Sequence, residues 1–420
     1  MRLGKPLLDK PRLKRVREIR KNTALAEAAA CSAAREYKMI PRESYYRPEI
    51  LRQELERLFT PHYQFGALTS ELQSDRDFVC VDFEGTAVVL QNFKGEIRAF
   101  ANVCSHRFNR IQTEDRGNRP LTCSYHGWTF DQSGFPHGMP RREGFSLEDR
   151  ERLCLTRYKV ETCGSFVFFR KGDDGPSLRE YLGRFYELIE QISAYFGPEI
   201  ESGVTLHAAN WKLLVENVLE CYHCGIVHQD TFVRTLGIGK APIEDATFDG
   251  PHSSSHFPRS AINSETRRQK ALAYLESRAF AHDSFFHIYV FPNLFISSTQ
   301  GLSFYVGHAL PVSSTRTNLR FRLFEPKLEL TRGQRAGQDL INRSGAELGR
   351  KVIDEDRTIL EQIQRGIELS EKPGIIGQDE VRIARFMDVY ERVMQGGSLG
   401  GIAPIDHHIG AGDPARGVTQ

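Results

Sequence analysis

Short apolar runs separated by turn residues mark the first folded part of the 420-residue chain. Between about residues 77 and 170, β-rich runs cover 78–83, 87–90, 97–100 and 165–169, and Gly, Asn, Asp and Pro residues separate them. The pattern predicts a small, mostly antiparallel β domain.

Apolar residues at helical spacing lie on both sides of this β-rich part. The residues of 47–59 predict a short amphipathic lead-in helix, and further helices are predicted at 177–196, 211–224, 333–368 and 377–395. Strand-like runs at 285–298, 302–310 and 317–325 predict a second antiparallel sheet. The polar stretch 229–278 has no clear period and is typical of entry loops.

These changes of pattern divide the chain into four expected parts. They are a basic N-terminal arm (1–44), the β domain with its lead-in helix (45–170), a second domain (171–395) and a flexible, glycine-rich tail (396–420). A length of 420 residues agrees with two or three domains of roughly 150 residues each.

Composition narrows the classes of partner and of cellular location. Lys and Arg number 56 against 54 Asp and Glu, so no global charge favours nucleic acid or an anionic membrane. The longest apolar stretches are shorter than the roughly 18 to 20 residues of a membrane span, and the start lacks the apolar core of a secretory signal. Eight cysteines are too sparse for a disulfide scaffold. We therefore expect a cytoplasmic protein in a reducing compartment.

Two cysteines and two histidines form the first chemical constellation. Cys104-x-His106 and Cys123-x-x-His126 are separated by sixteen residues. Thiolates and neutral imidazoles both bind iron, so two loops that each offer one Cys and one His can enclose a two-iron cluster of the Rieske type. The alternative with the same four ligands is a tetrahedral zinc site, although such sites more often carry pairs of cysteines.

A second constellation follows Asn210, which is a suitable N-cap for the predicted helix. Glu216, Glu220 and His223 fall at i, i+4 and i+7 and should share one face of that helix. His228 would lie about 140° from His223 on a continuous helix, so the two can bind one ion only if the helix yields. Gly225 between them could permit such a bend.

Two imidazoles leave a metal under-coordinated, so a carboxylate should come from elsewhere in the chain. In the segment 351–367, Asp356 lies at the centre of an apolar helical stripe, whereas Asp354 and Glu355 point away from it. A carboxylate in an apolar seam is costly unless it is paired or binds a metal. Two His and one carboxylate, with open positions for O2, is the arrangement of non-haem iron(II) oxygenases.

The stretches 102–107 and 121–130 resemble, nearly residue for residue, the cluster-binding loops of the oxygenase α subunits of Rieske non-haem iron oxygenases. The resemblance covers about residues 45–395. It implies an α+β fold with an N-terminal Rieske β domain and a catalytic helix-grip domain built on an antiparallel sheet. It also implies a [2Fe-2S] cluster held by Cys104, His106, Cys123 and His126, and a mononuclear Fe(II) held by His223, His228 and Asp356.

The resemblance gives expected roles to two further residues of the second constellation. Glu220 stands where most relatives carry Asp, which bridges a cluster histidine of one subunit to an iron-binding histidine of its neighbour. A Glu here also occurs in relatives that oxidise quaternary ammonium compounds. Asn217 resembles the family's active-site Asn, with a helix-surface amide as the alternative reading.

The activity implied is that of a terminal oxygenase that uses O2 and electrons from NAD(P)H, delivered by a reductase, a ferredoxin or both. A head-to-tail homotrimer is expected because it brings the cluster of one subunit close to the iron of the next; the resemblance leaves open whether a β subunit is also present. We expect hydroxylation of a small aromatic substrate. The alternatives are a monooxygenase of quaternary ammonium or N-methyl compounds, whose cation the aromatic run 285–295 could hold, and a Rieske electron carrier without oxygenase activity.

The remaining cysteines and histidines receive structural interpretations. Cys221 and Cys224 lack the βαβ setting of a redox motif and are interpreted as helix packing. The histidines outside the two constellations are expected to line a pocket or the core: His137, His207, His252, His256, His287 and His308.

Overall fold

The computed structural model of the protein describes residues 41–146, 148–234, 245–257, 280, 285–377, 380–402 and 405–407. The predicted α+β class is confirmed within these ranges. Nearly all of the predicted basic arm, most of the predicted tail and much of the polar stretch 229–278 lie outside the described residues.

The predicted β domain contains a seven-stranded antiparallel sheet and a small β-hairpin. The predicted runs are confirmed as strands, and the sequence missed the first strand, a short edge strand, both hairpin strands and the partner of the last strand. The sheet strands are β1 (Gln64–Leu68), β2 (Asp77–Phe83), β3 (Thr86–Phe93), β4 (Glu96–Ala101), β5 (Arg116–Asn118), β8 (Arg157–Cys163) and β9 (Phe166–Lys171), and the hairpin is β6 (Thr129–Phe130) with β7 (Pro136–Gly138). Their order in the sheet is β1-β9-β8-β4-β3-β2-β5.

Strand β2 shows why this sheet is apolar on both faces. Phe78 and Cys80 point into the core beneath the Cys/His loops. Val79 and Val81 point into a core that includes residues of the second domain. Successive side chains of a strand alternate between faces, so one continuous apolar run serves two cores.

An eight-stranded antiparallel sheet forms the centre of the second domain. Its order is β10-β16-β15-β14-β13-β12-β11-β17. The strands are β10 (Phe196–His207), β11 (Asp245–Asp249), β12 (His252–Phe257), β13 (Phe285–Val290), β14 (Leu294–Thr299), β15 (Ser303–Ser313), β16 (Arg316–Pro326) and β17 (Ile405–His407).

Eight α-helices complete the described part of the chain, together with single turns of other helical types. The α-helices are α1 (Pro48–Glu54), α2 (Arg150–Leu153), α3 (Leu178–Leu182), α4 (Phe185–Ser193), α5 (Trp211–Val218), α6 (Cys224–Val227), α7 (Arg332–Leu369) and α8 (Val381–Met394). The single turns are 3-10 turns at Arg42–Tyr45, Thr69–Glu71 and Arg142–Gly144, and π turns at Leu55–Phe59 and Gln229–Val233. None of the described helices is both long and apolar enough to cross a membrane.

Several predicted boundaries in the second domain were wrong. The predicted helix 177–196 is two helices, and the predicted strand 285–298 is two strands joined at residues 291–293. The polar stretch 229–278 contains β11 and β12, which a search for alternating apolar residues misses. Ser253 and Ser255 of β12 are buried, and the hydrogen bonds that their hydroxyls accept from Arg382 of α8 offset the cost of burying them.

The lead-in helix packs on the second domain as well as preceding the first. Glu54 at the end of α1 accepts hydrogen bonds from Lys212 Nζ (2.5 Å), Trp211 Nε1 (2.8 Å) and Tyr390 Oη (2.6 Å). Trp211 and Lys212 are the first residues of α5, and all of these side chains are buried. This network therefore anchors the start of the segment that carries the second constellation.

Candidate iron centres and active-site pocket

The two Cys/His loops of the first domain have the same backbone construction. The Phe108 N–H donates to the Cys104 carbonyl (2.9 Å), and the Gly127 N–H donates to the Cys123 carbonyl (3.0 Å). Phe108 and Gly127, each four residues after its cysteine, both adopt positive φ, of 60° and 72°. Each loop thus turns back on itself and presents its Cys and His side chains to the other loop.

The four side chains predicted to bind a cluster lie together at the end of this domain. Cys104 and Cys123 are buried, and the rings of His106 and His126 are 4.6 Å apart. His106 Nδ1 is buried and has no hydrogen-bond partner among the described residues. Two soft sulfur donors and two adjacent imidazoles, one of them with an unpartnered buried nitrogen, fit a Rieske [2Fe-2S] cluster, in which His replaces two of the thiolates.

Helix α5 ends earlier than predicted, and this changes how the second constellation is built. Asn210 caps the helix as predicted, with its side chain accepting from the Lys212 N–H (2.9 Å). The helix stops at Val218, so Glu216, Glu220 and His223 do not share one helical face. Glu216 instead points into the core and accepts a hydrogen bond from Tyr45 Oη (2.6 Å).

The Glu220 carboxylate organises the turn that follows α5. It accepts hydrogen bonds from the backbone N–H of Tyr222 and of His223, and it also contacts His223 Nδ1. The chain therefore bends before His223 and not at Gly225, which lies inside the short helix α6. The predicted bend at Gly225 was therefore wrong, because the break in the helix precedes both histidines.

The structure brings together the three residues predicted to bind a mononuclear iron. Asp356 Oδ1 lies 3.1 Å from His228 Nε2 and 3.7 Å from His223 Nε2, and the two rings are 5.2 Å apart. Asp356 Oδ1 is buried without an aligned hydrogen-bond donor among the described residues. Burial opposes protonation of His228, but the carboxylates of Asp356 and Glu355 raise its pKa above the ordinary value. These donors fit a divalent cation of the two-His, one-carboxylate class.

Each of the two histidines has a carboxylate on its other ring nitrogen. The Glu220 carboxylate contacts His223 Nδ1. The Glu355 carboxylate accepts hydrogen bonds from His228 Nδ1 (2.7 Å) and from Thr231 Oγ1 (2.8 Å). Such contacts fix the tautomer and the ring orientation of a metal-binding histidine. Both Nε2 atoms are consequently free to face Asp356.

Glu355 is a functional candidate that the sequence interpretation missed. It does point away from the apolar stripe of its own helix, as predicted, but not into solvent. The segment that carries His228 and Thr231 packs along that flank of α7, so adjacent residues 355 and 356 contact the same histidine. This contact can be recognised only when the segment with His228 and Thr231 is placed beside α7.

The interpretation of Cys221 and Cys224 as ordinary helix packing was also wrong. They form a disulfide with a Cα–Cα distance of 4.9 Å, and both line the cavity described below. Cys224 Sγ lies within 4.8 Å of the ligand atoms of His223 and His228. A disulfide sulfur has no thiolate to offer a metal, so Asp356 remains the third donor in this state.

A cavity of about 190 Å³ opens beside these donors. Its walls are mostly apolar, and the predicted residues Asn217 and Glu220 line it together with the three iron-ligand candidates. Aromatic rings from four elements and several polar groups also line it: Phe232, Phe285, Phe295, Tyr305, His207, Ser255, His287 and Ser297. Of the other histidines, His252 is a core residue, with Nε2 donating to the Tyr181 carbonyl (2.8 Å) and Nδ1 accepting from the Phe291 N–H (3.1 Å).

Comparison with known families and proteins matches both parts of the chain. Residues 62–157 match the model of the Rieske [2Fe-2S] domain, and residues 199–396 match that of the ring hydroxylating alpha subunit (catalytic domain). The carnitine monooxygenase oxygenase subunit of Acinetobacter pittii is 26% identical over 334 residues, which cover 78% of this chain and 85% of the relative.

Two further relatives match over about half of each chain. The glycine betaine monooxygenase oxygenase subunit of Pseudomonas aeruginosa is 25% identical over 47% of this chain and 46% of its own length. The large oxygenase component of salicylate 5-hydroxylase from Ralstonia sp. is 29% identical over 48% and 51%.

A solved structure supports the same relationship. A quaternary ammonium Rieske monooxygenase, described for carnitine oxidation and inter-subunit electron transfer, superposes with a TM-score of 0.69 at 25% identity. The match covers 84% of this chain and 95% of that one.

Proposed function

Because the chain belongs to the large subunits of Rieske non-haem iron oxygenases and is an O2-dependent oxidoreductase of that type, we propose that its substrate is a small quaternary ammonium or N-methyl compound. The observation that carries this proposal is the similarity to oxygenases of quaternary ammonium compounds, and a cavity lined by aromatic rings beside His223, His228 and Asp356 is compatible with it. Relatives that act on carnitine and glycine betaine support this substrate class more than the aromatic class expected from the sequence.

The walls of the cavity nearest the donor set suit a cationic group. The Phe232 ring lies 5.0 Å from the His228 ring and 5.8 Å from the Phe285 ring. Faces of aromatic rings attract quaternary ammonium groups through their quadrupoles, and the surrounding apolar surface solvates the methyl groups. An N-methyl carbon held against these rings would lie next to the donors.

We assign His223, His228 and Asp356 as the residues that hold Fe(II), with Glu220 and Glu355 orienting the two imidazoles. Held by two His and one carboxylate, Fe(II) would supply O2 activation beside the substrate. The lining, including Leu214, Val218 and Leu360, is mostly apolar and so offers water few hydrogen bonds. Asn217, on the wall beside Glu220, is assigned as a residue that contacts the substrate or O2.

Electrons are proposed to enter at the [2Fe-2S] cluster held by Cys104, His106, Cys123 and His126. A reductase, with or without a ferredoxin, supplies them from NAD(P)H, as expected for this family. Phe108 and Tyr125 at the tip of the cluster loops have 82% and 53% of their surface exposed. A large side chain held at positive φ on the surface costs conformational energy, which is typical of functional sites.

We further propose that the cluster loops dock on a second copy of the chain in a homotrimer. Tyr222 lies between Glu220 and His223 in the chain, and Ile226 follows them in α6. Both side chains are 77% exposed. They offer an apolar counterpart to Phe108 and Tyr125, and a head-to-tail ring would place each cluster against a neighbour's Glu220. The solved relative described for inter-subunit electron transfer supports this arrangement.

Turnover by the purified protein with a reductase and NADH tests the substrate class. L-Carnitine, glycine betaine and salicylate would be compared under matched conditions, with O2 uptake and product measured together. Product from either betaine, coupled to O2 uptake, would support the proposal, whereas product from salicylate alone would overturn it. Iron and acid-labile sulfide analysis of the same sample separates an oxygenase from a protein that holds zinc in the first constellation.

Aromatic hydroxylation remains the second candidate because one relative is a salicylate hydroxylase component. The cavity walls alone do not distinguish an aromatic ring from a trimethylammonium group. A Rieske electron carrier would account for the first constellation only, and the catalytic-domain match over residues 199–396 speaks against it.

A further inference from the structure

His287 is a buried polar residue of the cavity that the proposed oxygen chemistry does not use. It lies on β13, where alternation places Phe285, His287 and Tyr289 on one face and Ile288 and Val290 on the other. Ile288 and Val290 belong to a separate apolar core, and His287 lines the cavity.

The hydrogen bond to one ring nitrogen fixes the proton on the other. His287 Nδ1 lies 2.9 Å from Arg382 Nη2. A guanidinium has only donors, so Nδ1 must accept and the neutral ring carries its hydrogen on Nε2. His287 Nε2 is buried and has no hydrogen-bond partner among the described residues. The cavity wall therefore contains an N–H donor of defined tautomer that no described group accepts.

Arg382 places a positive charge next to the imidazole that carries this donor. It is buried in α8 and also donates to Ser253 Oγ (3.1 Å) and Ser255 Oγ (2.8 Å), which hold the guanidinium behind the imidazole. Burial, and then the charge of Arg382, keep the pKa of His287 well below its ordinary value. The ring is thus neutral, and the positive charge behind it favours a negatively charged acceptor in front of it.

The position of His287 along the cavity suits the far end of a substrate. Ring contacts run from His228 to Phe232 (5.0 Å), from Phe232 to Phe285 (5.8 Å) and from Phe285 to His287 (6.5 Å). His287 is therefore linked to His228 through two aromatic rings that line the same cavity. A substrate with its methylated cation against those rings could reach His287 with a group several bonds away.

We propose that His287 is a substrate-binding residue whose Nε2–H donates a hydrogen bond to a carboxylate oxygen of a zwitterionic quaternary ammonium substrate, with Arg382 as the positioning residue behind it. This inference rests on the proposed function and adds the group that recognises the anionic end. A buried donor left without an acceptor is costly, so a ligand that supplies one is selected over an analogue that lacks it.

The test compares ligands that share the cation and differ in the carboxylate. Binding of L-carnitine, γ-butyrobetaine and tetramethylammonium to the anaerobic holoenzyme would be measured by calorimetry for the wild type, His287→Asn and His287→Gln. The Asn oxygen can still accept from Arg382 but offers no donor at the Nε2 position, whereas the Gln amide can place an N–H there. His308→Asn is the matched control, because His308 is also buried with an unpartnered Nε2 but is not part of the described cavity lining.

We expect His287→Asn to weaken binding of both carboxylate ligands by about tenfold to a hundredfold, the effect of losing a hydrogen bond to a charged group. Tetramethylammonium should bind the variant within about twofold of the wild type, a smaller change than any hydrogen bond to a charge gives. His287→Gln should recover most of the carboxylate affinity, and His308→Asn should change neither.

Two results would overturn the assignment. Equal losses for all three ligands in His287→Asn would mean that the residue only supports the fold, and unchanged affinities would mean that it does not contact the substrate. Failure of the proposed function is recognisable separately, because the wild type itself would then bind none of the quaternary ammonium ligands.

Discussion

Removing the Glu54 carboxylate should destabilise the second domain far more than an average substitution. Glu54 and Lys212 are both fully buried, and the carboxylate also accepts from Trp211 Nε1 and Tyr390 Oη. Breaking a buried ion pair by removing one partner leaves an uncompensated charge, which costs about 3–5 kcal/mol. We therefore expect Glu54→Ala to lower the free energy of unfolding by about that amount.

The assay is urea unfolding followed by the fluorescence of Trp211, which lies inside the network. The chain has only two tryptophans, and the other, Trp128, reports on the cluster loops. A double-mutant cycle sharpens the test. Lys212→Met alone should also be costly, whereas Glu54→Ala combined with Lys212→Met should lose much less than the sum of the two single losses, because no charge is left buried.

The reasoning would be refuted by additivity. If the two single losses add within about 0.5 kcal/mol in the double variant, the pair is not energetically coupled. A loss below about 1 kcal/mol for Glu54→Ala would equally show that the carboxylate is solvated in solution, as for an exposed ion pair.

The other predictions concern the site and its surroundings. Glu220→Gln and Glu355→Gln should each weaken iron retention by about tenfold to a hundredfold in a chelator competition. Glu220→Asp keeps the carboxylate and should retain iron more nearly as the wild type does. Unchanged iron retention in the Gln variants would contradict the orienting role. Burial raises the pKa of Glu216 to about 7, so between the two pKa values the folded protein keeps a proton that the unfolded carboxyl has released. The stability gained from this retained proton is complete below the ordinary pKa of 4.5 and is lost as the pH rises through about 7. Glu216→Gln should consequently gain roughly 1–3 kcal/mol relative to the wild type between pH 5 and pH 8 in urea titrations, and a pH-independent difference would contradict this. Phe108→Gly should relieve a positive φ and leave the visible absorption of the cluster intact, yet slow electron delivery measured by single turnover; an unaffected rate would remove Phe108 from the docking surface.

The four side chains of the first constellation come together for a reason that is local in the sequence. Each loop of five or six residues closes through its own backbone hydrogen bonds, so the spacing of Cys104 and His106 already defines the shape of the loop. Asp356 is predictable for a different reason: an acid at the centre of an apolar helical stripe conflicts with burial unless something binds it.

The missed features all depend on contacts between distant segments or on side chains that compete with backbone structure. Helix α5 ends early because the Glu220 carboxylate takes the N–H groups of the next turn, an outcome that helical periodicity does not describe. Glu355 and His287 become recognisable only when β12, α7 and α8 are placed around the cavity. Their partners are His228 and Arg382, more than 90 residues away in the chain.

The charges around the cavity explain why a zwitterion would enter in one orientation. Glu220, Glu355 and Asp356 place three carboxylates around the two histidines, so the group keeps one negative charge even after it binds a divalent iron. The buried Arg382 lies behind His287, two rings away from these carboxylates. Because the intervening wall is apolar, the field between the two ends is weakly screened. A betaine is therefore expected to bind with its methylated cation towards the iron and its carboxylate towards His287, whereas the opposite orientation would bring like charges together at both ends.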